Sequence, residues 1–389
     1  MDITKRRTLI LYIYIALWMV GKVQGLLIIS SFISLSLYIP FTIMTLFYTY
    51  KVLLNSPKTI AIKALLVFFI VMLAYGFELL LFNDALGQKR TSFLIAVIGS
   101  IGPVFAFYYF TLQGVISKQK LCVFFVFFLS VAILEFYTYQ AKALIMMSRG
   151  LGEITNNSSY VVLGLFPFVF LMNKRPMIQY LTLGVLSFYV ILGLKRGAIL
   201  ILAILILWFF MSTIKSSSFT KRFYLILLFV TLLFIGVNFI DKFYNESEYF
   251  QYRVEATQEG SSSSRDKIYS TLWSHYKSNT NLIQVVFGEG AYHTENVTNG
   301  LKAHNDWLEL LIDCGFFGAF IYIIYWIAFL SDLRKSRFHP VTYAILGSCF
   351  LYTFLRTLFS MSFTDTPFYL SLMIGYGFAL LHSPQPLDK

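Results

Sequence analysis

The segment between residues 288 and 318 places polar and charged side chains at the mouth of an apolar helix. It begins with Gly288-Glu289-Gly290, and His304-Asn305 then precede a run rich in Leu and Ile. Histidine titrates near neutral pH, so proton transfer is a chemistry that this composition could support. Phosphate binding by the glycine pair is only weakly indicated, because the strand and helix of a dinucleotide site are missing.

The composition is that of a membrane protein. Of 389 residues, 58% are hydrophobic and only 13% are charged, and the mean hydropathy is +0.70. Backbone groups in hydrocarbon must be satisfied internally, and apolar runs of about 20 residues without alternation favour helices over a barrel. The sequence therefore predicts an all-α polytopic membrane protein. The cysteines have no C-x-x-C spacing and indicate neither a disulfide framework nor a zinc site, and they are Cys122, Cys314 and Cys349.

We predict about 12 transmembrane helices from the apolar runs. The weakest boundary is the first, because Gly21–Gly25 is the only interruption between residues 8 and 50. The predicted spans are residues 8–21, 33–54, 60–82, 91–112, 120–141, 157–173, 177–194, 197–214, 222–241, 303–330, 341–360 and 363–382.

Lys and Arg residues predict the orientation. With a cytoplasmic N-terminus, 17 of the 31 lie in the inner segments, as the positive-inside rule requires. The net charge of +12 is thus mostly a topology signal, and no nucleic-acid partner is expected. Both termini are then internal. The chain divides into residues 1–241 with helices 1–9, a long external loop at 242–302 that carries substrate-site residues, and residues 303–389 with helices 10–12.

The external loop has two parts. Residues 241–258 indicate a helix on the membrane surface, and residues 259–264 a flexible connector. Order resumes afterwards, because large residues recur with helical spacing over 265–276. The sequence at 287–290 predicts a tight turn.

His304 is predicted to begin the tenth helix. Its spacing places it at the outer end of an apolar stripe that continues to Gly315 and Gly318. These glycines would let another helix approach closely and hold the histidine rigidly. The alternative is that His304 is an ordinary interfacial polar residue. The other external histidines, His275 and His293, are expected to be solvated bystanders.

Several motifs occur in a characteristic order along the chain. They are Asn156-Asn157 opening the sixth span, Lys195-Arg196-Gly197 at an external helix mouth, Arg265, Gly288-Glu-Gly290, and the His304-Asn305-x-x-Leu308-x-x-Leu311-x-x-x-Gly315-x-x-Gly318 helix. With the span count, the internal termini and the large external loop, they resemble the O-antigen polymerase and ligase superfamily of bacterial membrane glycosyltransferases. The resemblance covers most of the chain and implies a GT-C-like membrane fold.

The resemblance also implies a reaction. Members transfer a glycan from undecaprenyl diphosphate to an acceptor sugar hydroxyl, with inversion, on the periplasmic face of the bacterial inner membrane. Neither a nucleotide sugar, nor a metal, nor another cofactor is expected. The implied partners are the undecaprenyl-diphosphate-linked oligosaccharide and membrane lipid, with a chain-length regulator and a flippase as further candidates.

This chemistry assigns roles to individual residues. The predicted diphosphate-binding residues are Arg196, Arg265 and Lys195, since cations must meet the leaving group and guanidinium groups suit bidentate phosphate contact. His304 is the predicted general base for the acceptor hydroxyl, because a near-neutral pKa suits that role. Tyr and Trp also anchor membrane interfaces, so the sugar-binding candidates have a structural alternative. These candidates are Asn305, Tyr292, Trp307 and Glu289.

Other charges have structural explanations beside functional ones. Lys195 and Arg196 oppose the positive-inside trend, which favours a functional role over snorkelling. Arg356 lies within the eleventh predicted span, where an isolated charge is costly. It should therefore pair with Asp365 or Asp313, or else contribute to diphosphate binding.

The alternatives differ in the acceptor and in class. We favour a polymerase, which transfers the growing chain to the nonreducing end of a lipid-linked repeat unit, because the external loop suits two similar glycans. A ligase would transfer the chain to lipid A core, and a protein oligosaccharyltransferase would carry a further C-terminal soluble domain. A flippase or transporter of lipid-linked glycans would have internal repeats and charges at the membrane midplane, and neither is evident.

Overall fold

The described part of the chain is built from helices. The computed structural model describes residues 3–27, 31–82, 90–148, 157–193, 195–215, 245 and 265–382, and no strand occurs in these ranges. Among them, eight helices are long and apolar enough to cross a membrane, and three shorter apolar helices accompany them. The prediction of an all-α polytopic membrane protein is confirmed.

The predicted spans agree with these helices at most positions. Each predicted span other than 222–241 overlaps an apolar helix. That span lies outside the described residues, as do the predicted surface helix at 241–258, the connector at 259–264 and Asn156. The total number of spans and the division at residue 242 therefore stay predictions.

The described residues form 16 α-helices, numbered here in chain order. Two 3₁₀ segments occur among them, at Phe166–Met172 and Ser336–Phe338. The helices are α1 Ile3–Leu27, α2 Ser31–Asn55, α3 Ile60–Phe82, α4 Arg90–Ser100, α5 Gly102–Leu112, α6 Lys118–Ser148, α7 Ser158–Leu163, α8 Pro176–Leu192, α9 Arg196–Lys215, α10 Arg265–Ser278, α11 Leu282–Phe287, α12 His293–Val297, α13 Asp306–Asp313, α14 Gly315–Lys335, α15 Pro340–Phe359 and α16 Phe368–Leu380.

Proline marks the start of three helices. Pro103, Pro176 and Pro340 occupy the first turns of α5, α8 and α15. The first N–H groups of a helix have no partner within it, so the N–H that proline lacks is not missed there. These starts are encoded locally in the sequence.

The core lies around α16, which packs most extensively against α5. Gly375 permits this close approach, since a Cβ there would lie 2.4 Å from the carbonyl oxygen of Val104. Phe368, at the start of α16, is buried and stacks on Trp18 with ring centroids 4.5 Å apart. In a membrane, close packing of this kind holds helices together because lipid tails are as apolar as the side chains.

Helix α3 is joined to α14 at both ends. At one end, the Ala61 N–H donates to Oδ2 of Asp332 over 2.8 Å. At the other, the Tyr75 hydroxyl donates to the carbonyl oxygens of Phe287 and Cys314, and lies 3.2 Å from that of Cys314. This antiparallel pair holds the polar region after residue 265 at the end of the bundle opposite Asp332.

The predicted interruption of the first helix at Gly21–Gly25 is wrong. Helix α1 continues through it to Leu27. A Cβ on Gly21 would lie 3.8 Å from the Cβ of Leu37 in α2, and Lys22 Nζ donates to Oε1 of Glu135 over 2.9 Å. A glycine inside a helix costs about 1 kcal/mol, which such tertiary contacts can offset.

Two exposed side chains at opposite ends of the bundle allow a test of orientation. Leu282 is 74% exposed on α11, and Phe338 is 88% exposed after α14. In a variant without the native cysteines, we expect a membrane-impermeant thiol reagent to label Leu282→Cys in intact cells, and Phe338→Cys only after lysis. The reverse labelling would put the predicted site on the cytoplasmic face.

Candidate active site

His304 precedes a short helix and is not part of it. The helix α13 is capped by Asn305, whose side-chain oxygen accepts from the N–H groups of Trp307 at 3.0 Å and Leu308 at 3.2 Å. His304 has a φ of +52°, in the left-handed region. This region is more accessible to His than to most residues, yet it is incompatible with a continuous helix. The predicted helical stripe through His304 is therefore wrong.

The predicted tenth helix is also interrupted further on. Helix α13 ends at Asp313 and α14 begins at Gly315, whose φ is +64°. The tight turn predicted at 287–290 is confirmed, with Gly288 at a φ of +83°, and it fills the space beside Gly315. A Cβ on Gly315 would lie 2.4 Å from the backbone nitrogen of Gly288. The close approach expected from a neighbouring helix is thus made by a turn.

Backbone hydrogen bonds lock this turn onto α13. The Glu289 N–H donates to the carbonyl oxygen of Ile312, and the Gly290 N–H to that of Asp313, both over 3.0 Å. A Cβ on Gly288 would lie 2.3 Å from the same Asp313 oxygen. The two backbones touch directly, so Glu289 has a fixed position.

Helix α13 carries two buried aspartates that bind loops on both sides. Asp313 accepts from the Tyr292 N–H at 2.9 Å and from the N–H and hydroxyl of Thr294 at 2.8 and 2.7 Å. Asp306 accepts from the Ser362 N–H at 2.8 Å and the Tyr322 hydroxyl at 2.9 Å. Burial raises the pKa of each carboxyl to about 7, although these hydrogen bonds act in the opposite direction.

Glu309 lies between these aspartates and is also buried. Its Oε2 has no hydrogen-bond partner among the described residues. Burial, and then the charges of Asp313 and Asp306, raise the pKa of Glu309 well above its usual value. Sequence reasoning missed Asp306 and Glu309, although acidic residues at 306, 309 and 313 fall on one face of a helix and could have revealed this face.

Three cations act electrostatically on His304. The half-buried imidazole lies close enough to Arg265, Lys195 and Lys302 for their positive charges to act on it. Burial first, and then these charges, lower the pKa of His304 to about 4. The histidine is therefore neutral at pH 7. The expected near-neutral pKa is wrong for the protein without substrate, and Lys302 had not been predicted to belong to this group.

The starts of α9 and α10 meet at the end of α15. Arg265 Nη1 donates to the carbonyl oxygen of Phe359 over 3.2 Å. Gly197 lies against the same residue, since a Cβ there would be 3.0 Å from the Phe359 Cβ and 2.3 Å from the Tyr160 hydroxyl. Arg196, the first residue of α9, is half-buried beside this contact. Arg265 and the start of α9, which follows Lys195, thus lie near the same residue, Phe359.

Arg356 is buried next to this group and has a protein partner. Its guanidinium donates to the side chain of Asp365, to the Asp365 carbonyl oxygen at 2.6 Å and to the Tyr352 hydroxyl at 3.2 Å. It also lies 5.3 Å from the centre of the Tyr160 ring. The predicted pairing with Asp365 is confirmed, and the alternative partner Asp313 is engaged elsewhere.

The predicted sugar-binding side chains are engaged inside the protein. Tyr292 is 7% exposed, with its hydroxyl 3.2 Å from that of Ser92. Trp307 Nε1 donates to Thr357 Oγ1 over 2.9 Å, while Asn305 caps α13. Glu289 accepts hydrogen bonds from neighbouring side chains. Contact of these four residues with a sugar stays a prediction.

Part of the chain matches a known protein family. Residues 181–323 match the protein-family model described as O-antigen ligase. The match confirms the resemblance of this chain to the O-antigen ligase and polymerase superfamily. It runs from α8 into α14 and contains every predicted site residue. No curated protein matches the chain. The superfamily match does not distinguish a polymerase from a ligase.

The break between α13 and α14 can be tested at Gly315. We expect Gly315→Ala to lower the thermal midpoint of the detergent-solubilised protein, because alanine at this φ costs about 1–2 kcal/mol before its clash with the Gly288 backbone. The matched control is Gly184→Ala in α8, where an added Cβ meets nothing within 4 Å. Equal midpoints for the two variants would contradict the close backbone contact.

Proposed function

We propose that the protein is a surface-polysaccharide polymerase of the bacterial inner membrane. It transfers a growing glycan from undecaprenyl diphosphate to the nonreducing end of a lipid-linked repeat unit, at the periplasmic face. The observation that carries this proposal is the convergence of His304, Arg265 and Lys195 within the region that matches the superfamily. A neutral imidazole among cations provides both a proton acceptor and a place for an anionic leaving group.

The cations have the right chemistry for a diphosphate. Arg196 and Arg265 are the first residues of α9 and α10, so the positive ends of two helix dipoles accompany their side chains. Guanidinium groups bind phosphate oxygens in a bidentate manner, and Lys195 adds a mobile point charge. Charge that develops on the leaving diphosphate would be stabilised there.

The proposed reaction is a single displacement at the anomeric carbon of the donor glycan. The acceptor hydroxyl oxygen forms the new bond to this carbon, and the bond from the carbon to the diphosphate oxygen breaks. The diphosphate leaves with the electron pair, and His304 takes the hydroxyl proton. Attack opposite the leaving group inverts the configuration.

Substrate charge would tune the base. In the free protein, burial and cations keep the pKa of His304 at about 4, which makes it a weak proton acceptor. A diphosphate bound between Arg265 and Lys195 would offset their positive charge and raise the pKa of His304. The histidine would then become a stronger base only when the donor is bound.

A ligase is the second candidate, because the matched family model bears the description O-antigen ligase. Donor, leaving group and base would be the same, and the acceptor would be lipid A core. A flippase is less consistent with the described residues, in which Lys195, Arg265, Lys302 and His304 gather at one end of the helices.

A glycan profile of a deletion strain separates the two functions. We expect single repeat units on lipid A core, as for a lost polymerase, whereas bare core with retained lipid-linked polymer would indicate a ligase.

Complementation of the deletion strain tests the role of Arg265. Complementation with Arg265→Ala should fail and Arg265→Lys should restore only part of the polymer, because a point charge cannot make the bidentate contact. Lys267→Ala, an exposed position on the same helix, is the control and should restore the full profile. Full polymer from Arg265→Ala would contradict the diphosphate role.

His304 is tested with purified protein and lipid-linked repeat units. We expect His304→Asn, which tolerates the left-handed backbone, to reduce kcat by a factor on the order of 10² to 10⁴ while donor binding persists. For the wild type, kcat/KM should stay constant from pH 8 down to about 5 and fall as His304 is protonated near pH 4. The fall in kcat should occur at a higher pH, because bound diphosphate raises the pKa.

The control for this experiment is His382→Ala, at an exposed histidine beyond α16. It should keep the wild-type kcat. Unchanged kcat in His304→Asn would exclude the base role, and a decline of kcat/KM near pH 6.5 would exclude the cation-lowered pKa.

A further inference from the structure

A second cluster of side chains lies apart from the cations around His304. It consists of His275 in the last turn of α10, Glu289 in the turn before α12, and His293 at the first position of α12. Nε2 of His275 lies 2.7 Å from Oε1 of Glu289, and Nε2 of His293 lies 2.8 Å from Oε2. Each carboxylate oxygen thus faces one imidazole nitrogen.

We propose that His275, Glu289 and His293 form a binding site for a divalent transition-metal ion of the zinc type. One atom from each side chain can be chosen so that all three lie within 4.8 Å of one another. Zinc bonds to imidazole nitrogen and carboxylate oxygen are about 2.0–2.2 Å long, so modest rotation of the two rings would bring all three atoms onto one ion.

The donor set selects the kind of metal. Two imidazoles and one carboxylate favour zinc and similar ions, whereas magnesium and calcium prefer oxygen ligands. Three protein ligands leave at least one position for water or another ligand. The exposures agree with this, since the side chain of Glu289 is 11% exposed but those of His275 and His293 are 34% and 30% exposed.

The carboxylate is held in place before any ion arrives. The Glu289 N–H donates to the Ile312 carbonyl oxygen, and the neighbouring backbone touches Asp313, as described above. Asn279 Nδ2 donates to Oε1 of Glu289 over 3.0 Å. In metal sites, a hydrogen bond from a neighbouring side chain to a ligating carboxylate, such as this one from Asn279, orients the carboxylate toward the ion. The site therefore has an anchored central ligand and two rings with room to adjust.

An ion at this site would hold helices together and would not contact the leaving diphosphate. Arg265 and His275 are ten residues apart on α10, which corresponds to about 15 Å along the helix. The ion would fasten the end of α10 to the turn at Glu289 and to α12. Since the start of α10 carries Arg265, this clamp would fix the helix that presents one of the cations.

The test uses full-length protein purified in detergent with a tag that lacks histidine. After treatment with a chelator, zinc is added, the protein is separated from free metal by gel filtration, and bound metal is measured by mass spectrometry. We expect one zinc ion per chain, and a visible absorption spectrum of tetrahedral type when cobalt replaces zinc. Wild-type protein with less than about a tenth of an ion per chain would overturn the proposal.

Variants assign the ion to these side chains. His275→Ala and His293→Ala should each lose the bound ion, and Asn279→Ala should weaken zinc affinity by about 10- to 100-fold. His339→Ala, an exposed histidine at the start of α15, is the matched control and should retain the full amount. If the double variant of His275 and His293 still held one ion per chain, the site would lie elsewhere.

Amide hydrogen exchange tests whether the ion stabilises α10. Zinc should slow amide hydrogen exchange in α10 of the wild type and leave the exchange in Asn279→Ala unchanged at a zinc concentration that saturates only the wild type. Zinc binding without any change in the exchange of α10 would overturn the architectural role. None of these measurements depends on the glycan substrate, so their failure is distinct from failure of the proposed transferase function.

Discussion

The end of the described structure that carries His304 depends on two carboxylates buried in one short helix. Asp306 and Asp313 accept hydrogen bonds from backbone N–H groups of loops that come before and after α13 in the chain. A buried carboxylate without such donors is costly, and a loop N–H without an acceptor is costly as well, so each group satisfies the other. Burial still raises the pKa of both carboxyls to about 7, because their charged forms are disfavoured away from water.

Hydrogen bonds from loops on both sides hold α13 in place, so it remains a short helix that ends at Asp313 and does not continue as a membrane span. The chain turns at Gly315, and the turn at Gly288 fits into the break. Within this frame His304 lies just before the helix cap, where the charges of Lys195, which precedes α9, and of Arg265, the first residue of α10, act on it. A histidine at the end of a continuous helix would have pointed along the helix surface, whereas this one lies between separate elements. The cost is a strained left-handed backbone at His304.

Acidic and basic side chains occupy different places at this end of the structure. Acidic groups are buried in α13 and accept structural hydrogen bonds, while Arg265, Lys195 and Lys302 lie toward the imidazole. Arg356 is paired with Asp365 and is therefore not equivalent to the other cations. The positive charges near His304 therefore create a potential that attracts anions, in a chain that has few charged residues.

The sequence by itself determined the class of the protein and much of its local structure. Long apolar runs require helices in hydrocarbon, proline fixes several helix starts, and the turn at 287–290 follows from its glycines. The family resemblance was also predictable, because its motifs and their order are read directly from the chain. Asp365 was one of two partners expected for Arg356, from which it is nine residues away. Tertiary structure decided the break at Gly315, the burial of Tyr292, the pKa of His304 and the two histidines on Glu289. These depend on burial and on charges brought together from distant parts of the chain, and helical periodicity carries no information about such contacts.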